Sequence, residues 1–149
     1  TDSLVGSEMC IRDRFTGDDG LAEMLKTTNY LACLLPDTLA TKGILDRSLF
    51  EKMPKGSFLL NAGRGNQLVE KDLTMALDNG QIKGAALDVF IEEPLPQNHP
   101  FWNDHRIIIT PHHAAEVFMP SAANAFVENI ERVRSGQPLK GLVNQKVGY

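Results

Sequence analysis

The stretch SFLLNAGRGNQLVEKDLTMALDNGQIKGAALDVF, residues 57–90, decides the fold. It opens with an apolar run, SFLLNA (57–62), and breaks at Gly63-Arg64-Gly65. It resumes as a helical pattern over Glu70 to Asn79, with Leu73, Ala76 and Leu77 on one side. Gly80 is the residue type that commonly ends a helix. A second apolar run with small side chains, IKGAALDVF (82–90), follows at once. Strand, helix and strand joined this closely predict a crossover unit, in which the two strands run parallel.

The same alternation extends both ways. Upstream, YLACLL (30–35) is a continuous apolar run ended by Pro36, the mark of a strand buried on both faces. Asp18 and Asp19 are placed to cap a helix over Leu21, Met24 and Leu25. Thr41 to Leu45 reads as a short turn of helix. Asp46 caps another short helix, with Leu49, Phe50 and Met53 apolar and Pro54 ending it. Downstream, RIIIT (106–110) is a strand stopped by Pro111. Pro120 opens the longest helix, to about Arg134, with Ala123, Phe126, Val127, Ile130 and Val133 on one face; Gly136 and Pro138 end it. The class is α/β with a parallel sheet whose strands look too apolar to be half-exposed.

Ligands of such sheets bind beyond the carboxyl ends of the strands. NAGRGN (61–66), LDVFIEEPLP (87–96) and ITPHHA (109–114) each lie at or just past a predicted strand end, so parallel strands bring all three to one rim. Their chemistry is complementary. Arg64 stands between two glycines, which are free to take positive φ and let backbone approach a ligand. Its planar guanidinium suits a carboxylate, though an isolated GRG is equally what a solvated turn shows. Glu93 precedes Pro94, which holds it extended; by itself it also reads as a surface carboxylate. Asp88, near a strand end, either caps the loop or meets a polar ligand group. His112, after Pro111, can donate or accept a proton near neutral pH, and a neighbouring carboxylate favours its imidazolium form. Alone, a histidine after a strand is more often structural. Glu92, His99 and His105 carry no claim on chemistry.

Composition bounds the rest. The chain has 149 residues, 42% of them hydrophobic, enough for one domain with a core. A formal charge of −4 with scattered basic residues argues against a nucleic-acid partner. No apolar run approaches the roughly 20 residues a membrane helix needs. Cys10 and Cys33 make no disulfide framework, and Cys33 reads as a buried thiol, so a reducing, cytoplasmic setting is the default. The histidine and acid spacings match no compact zinc signature, and no metal is expected. Residues 1–14, TDSLVGSEMCIRDR, have no sustained period. They resemble translated adapter sequence at the ends of environmental reads and are expected to be non-native.

Taken in order, LLPDTLAT, LLNAGRGNQLVEKDL, GAALDVFIEEPLPQNHPFW and IIITPHHAA resemble the C-terminal half of the D-isomer-specific 2-hydroxyacid dehydrogenases. The resemblance runs from Phe15 to Tyr149. EEPLPQNHPFW and the ending GLVNQKVGY are most similar to the glyoxylate/hydroxypyruvate reductase A branch. The resemblance implies an NAD(P)-dependent oxidoreductase with a Rossmann-like sheet. In it Arg64 grips substrate, His112 is the acid/base and Glu93 is the histidine's partner. The implied cofactor contacts are Cys33, Leu34, Ala62, Gly63, Arg64, Asp88, His112, His113, Ala114 and Ala115. Asp88 would meet the nicotinamide end. Formate dehydrogenases, which are similar, carry glutamine where Glu93 stands. The implied reaction moves hydride from NADPH or NADH to glyoxylate or hydroxypyruvate, giving glycolate or glycerate, in a homodimer. A corepressor-like, dinucleotide-sensing protein of the same fold is the alternative, since such proteins can retain the same three residues.

The family's substrate-domain segment, its glycine-rich phosphate loop and its coenzyme-selecting residue have no counterpart. Residues 15–118 are therefore expected to be the C-terminal part of a dinucleotide-binding domain. Residues 119–149 would return to a substrate domain, and the chain alone would bind cofactor poorly and be inactive. A sheet without its first strands is also expected to leave an apolar edge open.

Overall fold

A computed structural model describes residues 13–115 and 119–143. The N-terminal stretch read as non-native thus falls, up to residue 12, outside the described residues. Four strands, β1 (Tyr30–Cys33), β2 (Ser57–Asn61), β3 (Ile82–Leu87) and β4 (Ile107–Ile109), form one sheet in the order β1-β2-β3-β4. All three pairings are parallel. The helices α1 (Gly17–Leu25), α2 (Arg47–Lys52), α3 (Glu70–Asp78) and α4 (Met119–Arg134) complete the chain with short 3-10 turns at Gly65–Gln67 and Pro100–Asn103. This is the α/β class expected, with a Rossmann-like parallel sheet.

Local chemistry explains most boundaries. The Asp46 side chain accepts the backbone N–H of Leu49 at 2.8 Å, the expected cap of α2. Leu73, Ala76 and Leu77 of α3 turn inward, and Gly80 follows at φ +73°, where a side chain would be strained. Asp18 and Asp19 do not cap α1, however. They lie inside its first turn, where their negative charge complements the positive end of the helix dipole, and Thr16 holds the N-cap position. Thr41 to Leu45 is turn rather than helix. There Thr38 and Thr41 exchange hydrogen bonds with each other's backbone, the local competition by which threonine disfavours helix. The third strand stops at Leu87, three residues earlier than its apolar run suggested, because Asp88, Val89 and Phe90 turn into the rim.

The sheet's two faces differ. Cys33, Leu59, Ala85, Leu87 and Ile107 point to the helical side and join Phe50, Leu25, Leu73 and Ile82 in one core. The opposite face carries Tyr30, Ala32, Phe58, Leu60, Gly84, Ala86 and Ile108, around an open trough of about 360 Å³. Tyr30 is 77% exposed and Ile108 66% exposed. Doubly buried strands were the wrong expectation for β1 and for the sheet as a whole. The apolar residues fit a two-sided sheet, but the described helices cover one side. The α4 face predicted to be apolar is likewise unburied, with Phe126, Val127 and Val133 largely exposed. No helix among the described residues is long and apolar enough to cross a membrane.

Candidate active site

The strand register sets the site. Cys33 pairs with Asn61, Asn61 with Leu87, and Leu87 with Ile109, so the four strands end in one row. The backbone continues that row as a belt. Ala62 N–H donates to Cys33 O at 3.1 Å, Asp88 N–H to Asn61 O at 3.0 Å, and Thr110 N–H to Leu87 O at 3.0 Å. The three polar segments therefore leave the sheet side by side on one rim.

Glu93 and His112 meet there. His112 Nδ1 lies 2.7 Å from Glu93 Oε2. The other carboxylate oxygen accepts Phe90 N–H at 2.9 Å, which ties the glutamate to its own loop. These two hydrogen bonds, the His112 bond first, hold the Glu93 carboxyl below the ordinary range; burial opposes them, and the charges of His112 and Arg64 add to them. The glutamate is thus anionic at neutral pH. With Nδ1 on the carboxylate, Nε2 is the imidazole atom left to exchange a proton with a ligand. The pair borders a cavity of about 630 Å³ with Leu95, Trp102 and Pro111 on its wall.

His112 has φ +53°, a left-handed conformation that costs a non-glycine residue about 1 kcal/mol or more. Asp88 holds it there. Its carboxylate, 3% exposed, accepts Thr110 Oγ1 at 2.5 Å, His113 N–H at 3.1 Å and Ala114 N–H at 2.9 Å. Burial raises the Asp88 pKa, but the three hydrogen bonds, with the charge of His113 added, outweigh it and the net shift is downward. A carboxylate offers about four lone-pair sites, and the loop occupies three.

Arg64 sits in the turn as expected, but the turn works differently. Neither Gly63 nor Gly65 has positive φ. They are glycine for room. A Cβ on Gly65 would lie 2.0 Å from the Phe90 carbonyl carbon, and one on Gly63 would lie 2.3 Å from Gln67 Oε1. Gly65 thus lets the arginine turn touch the loop that carries Glu93. The guanidinium itself donates from Nη1 to Gly63 O at 2.7 Å, and it acts on the pair through its charge at Glu93.

Two further residues build the turn: Asn61 and Gln67, both fully buried amides. Asn61 Nδ2 donates to Arg64 O at 3.2 Å, and Asn61 Oδ1 accepts Gly63 N–H. Gln67 Oε1 accepts Arg64 N–H at 2.9 Å. A sequence signal existed for Gln67: a glutamine at the third helical position commonly reaches back to the cap residue's N–H. Without serine or threonine at the cap, that pattern was hidden. Cys33 is buried, which pushes its thiol pKa up and keeps it a donor to Gln67 Oε1 at 3.3 Å. Leu34 is 72% exposed beside it. His99 has a structural part. Its Nδ1 accepts Phe101 N–H and its Nε2 lies 3.3 Å from Glu70, pinning the loop beyond Glu93 to α3.

A parallel sheet with its polar loops gathered on the strand-end rim is the layout of a doubly wound, nucleotide-binding type of α/β domain. Residues 7–114 match the family model of the D-isomer specific 2-hydroxyacid dehydrogenase, NAD binding domain, and the chain belongs to that family. A glyoxylate/hydroxypyruvate reductase A of Photorhabdus laumondii is 48% identical over 135 residues, which are 91% of this chain and 43% of the relative. The enzyme of the same name from Klebsiella pneumoniae strain 342 is 43% identical over the same shares. The chain thus spans less than half the length of these curated relatives. Among solved structures, a Xanthobacter autotrophicus D-isomer specific 2-hydroxyacid dehydrogenase in complex with NADPH and MES superposes with a TM-score of 0.87 at 35% identity, over 91% of this chain and 56% of that one. An NADPH-dependent glyoxylate/hydroxypyruvate reductase of Sinorhizobium meliloti with NADP and sulfate gives 0.84 at 37% identity, over 90% and 44%.

Proposed function

We propose that this chain supplies the catalytic rim of an NAD(P)H-dependent reductase of small 2-keto acids, glyoxylate or hydroxypyruvate, yielding glycolate or glycerate. The observation that carries this reading is the 2.7 Å Glu93–His112 pair, set one loop away from the Arg64 turn. Residues 15–118 are then the C-terminal part of the dinucleotide-binding domain, and 119–149 lead toward a substrate-binding domain.

The rim suits a nicotinamide cofactor. Ala62, Ala114 and Ala115 put little side-chain bulk at the strand ends. Beside Cys33 and Leu34 lies an apolar groove of about 330 Å³ that can take the face of a ring. Cys33, Leu34, Ala62, Gly63, Arg64, Asp88, His112, His113, Ala114 and Ala115 would hold the cofactor, with the fourth lone-pair site of Asp88 open to a donor. When bound, the nicotinamide supplies the hydride.

The chain's own residues do the rest. Protonated His112 donates from Nε2 to the keto oxygen as negative charge grows there, and Glu93 stabilises the imidazolium and fixes its ring. Arg64 swings from Gly63 O to bind the substrate carboxylate and orient the keto group. In the oxidative direction His112 is the base.

The test is a chimera. Residues 15–143 replace the corresponding stretch of the Klebsiella pneumoniae relative, and NADPH oxidation is followed with glyoxylate. Turnover is expected, with His112→Gln lowering kcat by about 10²- to 10⁴-fold. A chimera that binds NADPH but turns over equally fast with and without His112 refutes the reading.

A further inference from the structure

We infer that Gln67 is a positioning residue: its carboxamide locks the backbone of Arg64 to the loop after β1, so that the substrate-side arginine and the cofactor-side loop move as one body. The roles of the two loops rest on the reductase reading; the lock itself does not.

The argument starts from a count. A carboxamide has two acceptor sites and two N–H donors, and Gln67, fully buried, uses all four. Oε1 accepts Arg64 N–H at 2.9 Å and Cys33 Sγ–H at 3.3 Å. Nε2 donates to Leu35 O at 2.7 Å and Pro36 O at 3.1 Å. The four partners come from two segments more than 25 residues apart in sequence, Cys33 to Pro36 and Arg64. Asn61 completes the grip. Its Nδ2 and the N–H of Gln67 both donate to Arg64 O, each at 3.2 Å. The peptide groups of Arg64 are therefore held on both sides, and its side chain is the part left to swing.

A residue that merely filled this space would be apolar. Methionine has glutamine's length without its polar atoms. In its place it would leave Arg64 N–H, Leu35 O and one Pro36 contact without their partner, in a site from which water is excluded. Gly63 points the same way, since its missing Cβ is the space that Gln67 Oε1 occupies, at 2.3 Å. The turn gives up a side chain to admit this amide.

The experiment uses the full 149-residue chain and amide hydrogen exchange by NMR. In the unsubstituted chain the Gln67 side-chain N–H₂ protons should exchange at least about tenfold more slowly than those of exposed Gln137. Equal rates overturn the lock without any variant. Gln67→Met should speed Arg64 amide exchange at least about tenfold while leaving Leu59 and Ala85 in the sheet unchanged. Gln67→Glu keeps the Oε1 acceptor and should restore Arg64 protection, but not the hold on Leu35 and Pro36. Arg64 protection that is the same in the methionine variant and the parent overturns the inference. Millimolar NADPH should shift the Leu35 and Arg64 amides together in the parent, and Leu35 alone in Gln67→Met. Co-shifting that survives in the variant sinks the coupling. Absence of any shift is the weak cofactor binding expected of this chain alone, and the exchange rates then decide the lock.

Discussion

Replacing Gly65 with alanine tests the central contact of the rim. The added Cβ would stand 2.0 Å from the Phe90 carbonyl carbon, 2.1 Å from its oxygen and 2.4 Å from Ile91 N. Carbon atoms in ordinary contact sit about 3.5–4.0 Å apart, so the arginine turn and the Glu93 loop must separate by roughly 1.5 Å. Neither neighbour is a flexible side-chain tip; both are backbone, pinned through Phe90 N–H to Glu93 and through Asn61 and Gln67 to Arg64. Overpacking a core costs about 1–3 kcal/mol, and because both clashing partners are backbone the upper end, a loss near 3 kcal/mol, is expected. With a urea slope of about 2 kcal/mol/M, the unfolding midpoint falls by roughly 1.5 M. Gly84→Ala is the control. Its Cβ meets Arg106 O at 3.2 Å and the Phe58 ring at 3.3 Å, on the uncovered sheet face where the ring can yield. If Gly65→Ala melts no lower than Gly84→Ala, the two segments are not in contact and the rim described above is wrong.

Asp88→Asn should loosen the His112 loop, because one amide cannot accept three donors; a loss of about 2 kcal/mol in urea unfolding is expected. The same variant tests the pH dependence. The folded Asp88 pKa lies below its ordinary 3.8, so its contribution is complete above about pH 4 and is lost as pH falls through the folded value; the asparagine variant should show a flatter acid limb in a Tm series from pH 6 to 3. Asp104, lowered to about 2 chiefly by its hydrogen bond to Arg106, should add to that limb further down, so the stability gap between the parent and Asp104→Asn is widest above about pH 4 and closes as the pH falls from 4 to 2. In the chimeric reductase, Arg64→Lys should raise KM for glyoxylate and lower kcat, together about ten- to a hundredfold in kcat/KM, because a point charge cannot reproduce the guanidinium fork; an unchanged KM removes Arg64 from substrate binding. Ile108→Lys should weaken concentration-dependent self-association in sedimentation velocity by breaking the uncovered sheet face.

The parallel sheet, its order along the chain and the rim were legible because they follow from apolar runs and punctuation: Pro36, Gly80, Pro111 and the capping Asp46. What periodicity could not show is which face of a strand is covered. Ile108 is the same residue type as its buried neighbour Ile107, and only the placement of helices separates them. The three polar side chains were legible as chemistry, while their support was not. Asn61 looks like the last residue of a strand and Gln67 like one polar residue among several in GNQLVEKD. Their importance lies in being buried with every hydrogen bond made, a property of the folded chain. Positive φ was anticipated at the glycines and occurs at His112 instead, since Asp88 can grip the two amides that follow His112.

That displacement of strain says how the site is made. The glycines at 63 and 65 give up side chains so that Gln67 and Phe90 can come close, and the tension is carried at His112, where the imidazole must be aimed. Asp88 then serves the histidine through three hydrogen bonds to its loop, while Glu93 serves it through the ring. One carboxylate fixes where the backbone goes and the other fixes which nitrogen faces outward. Both are held by backbone N–H groups within the rim. The pair therefore closes at 2.7 Å although half the sheet's surface lies uncovered, because its geometry depends on the row of strand ends and not on what packs across the sheet.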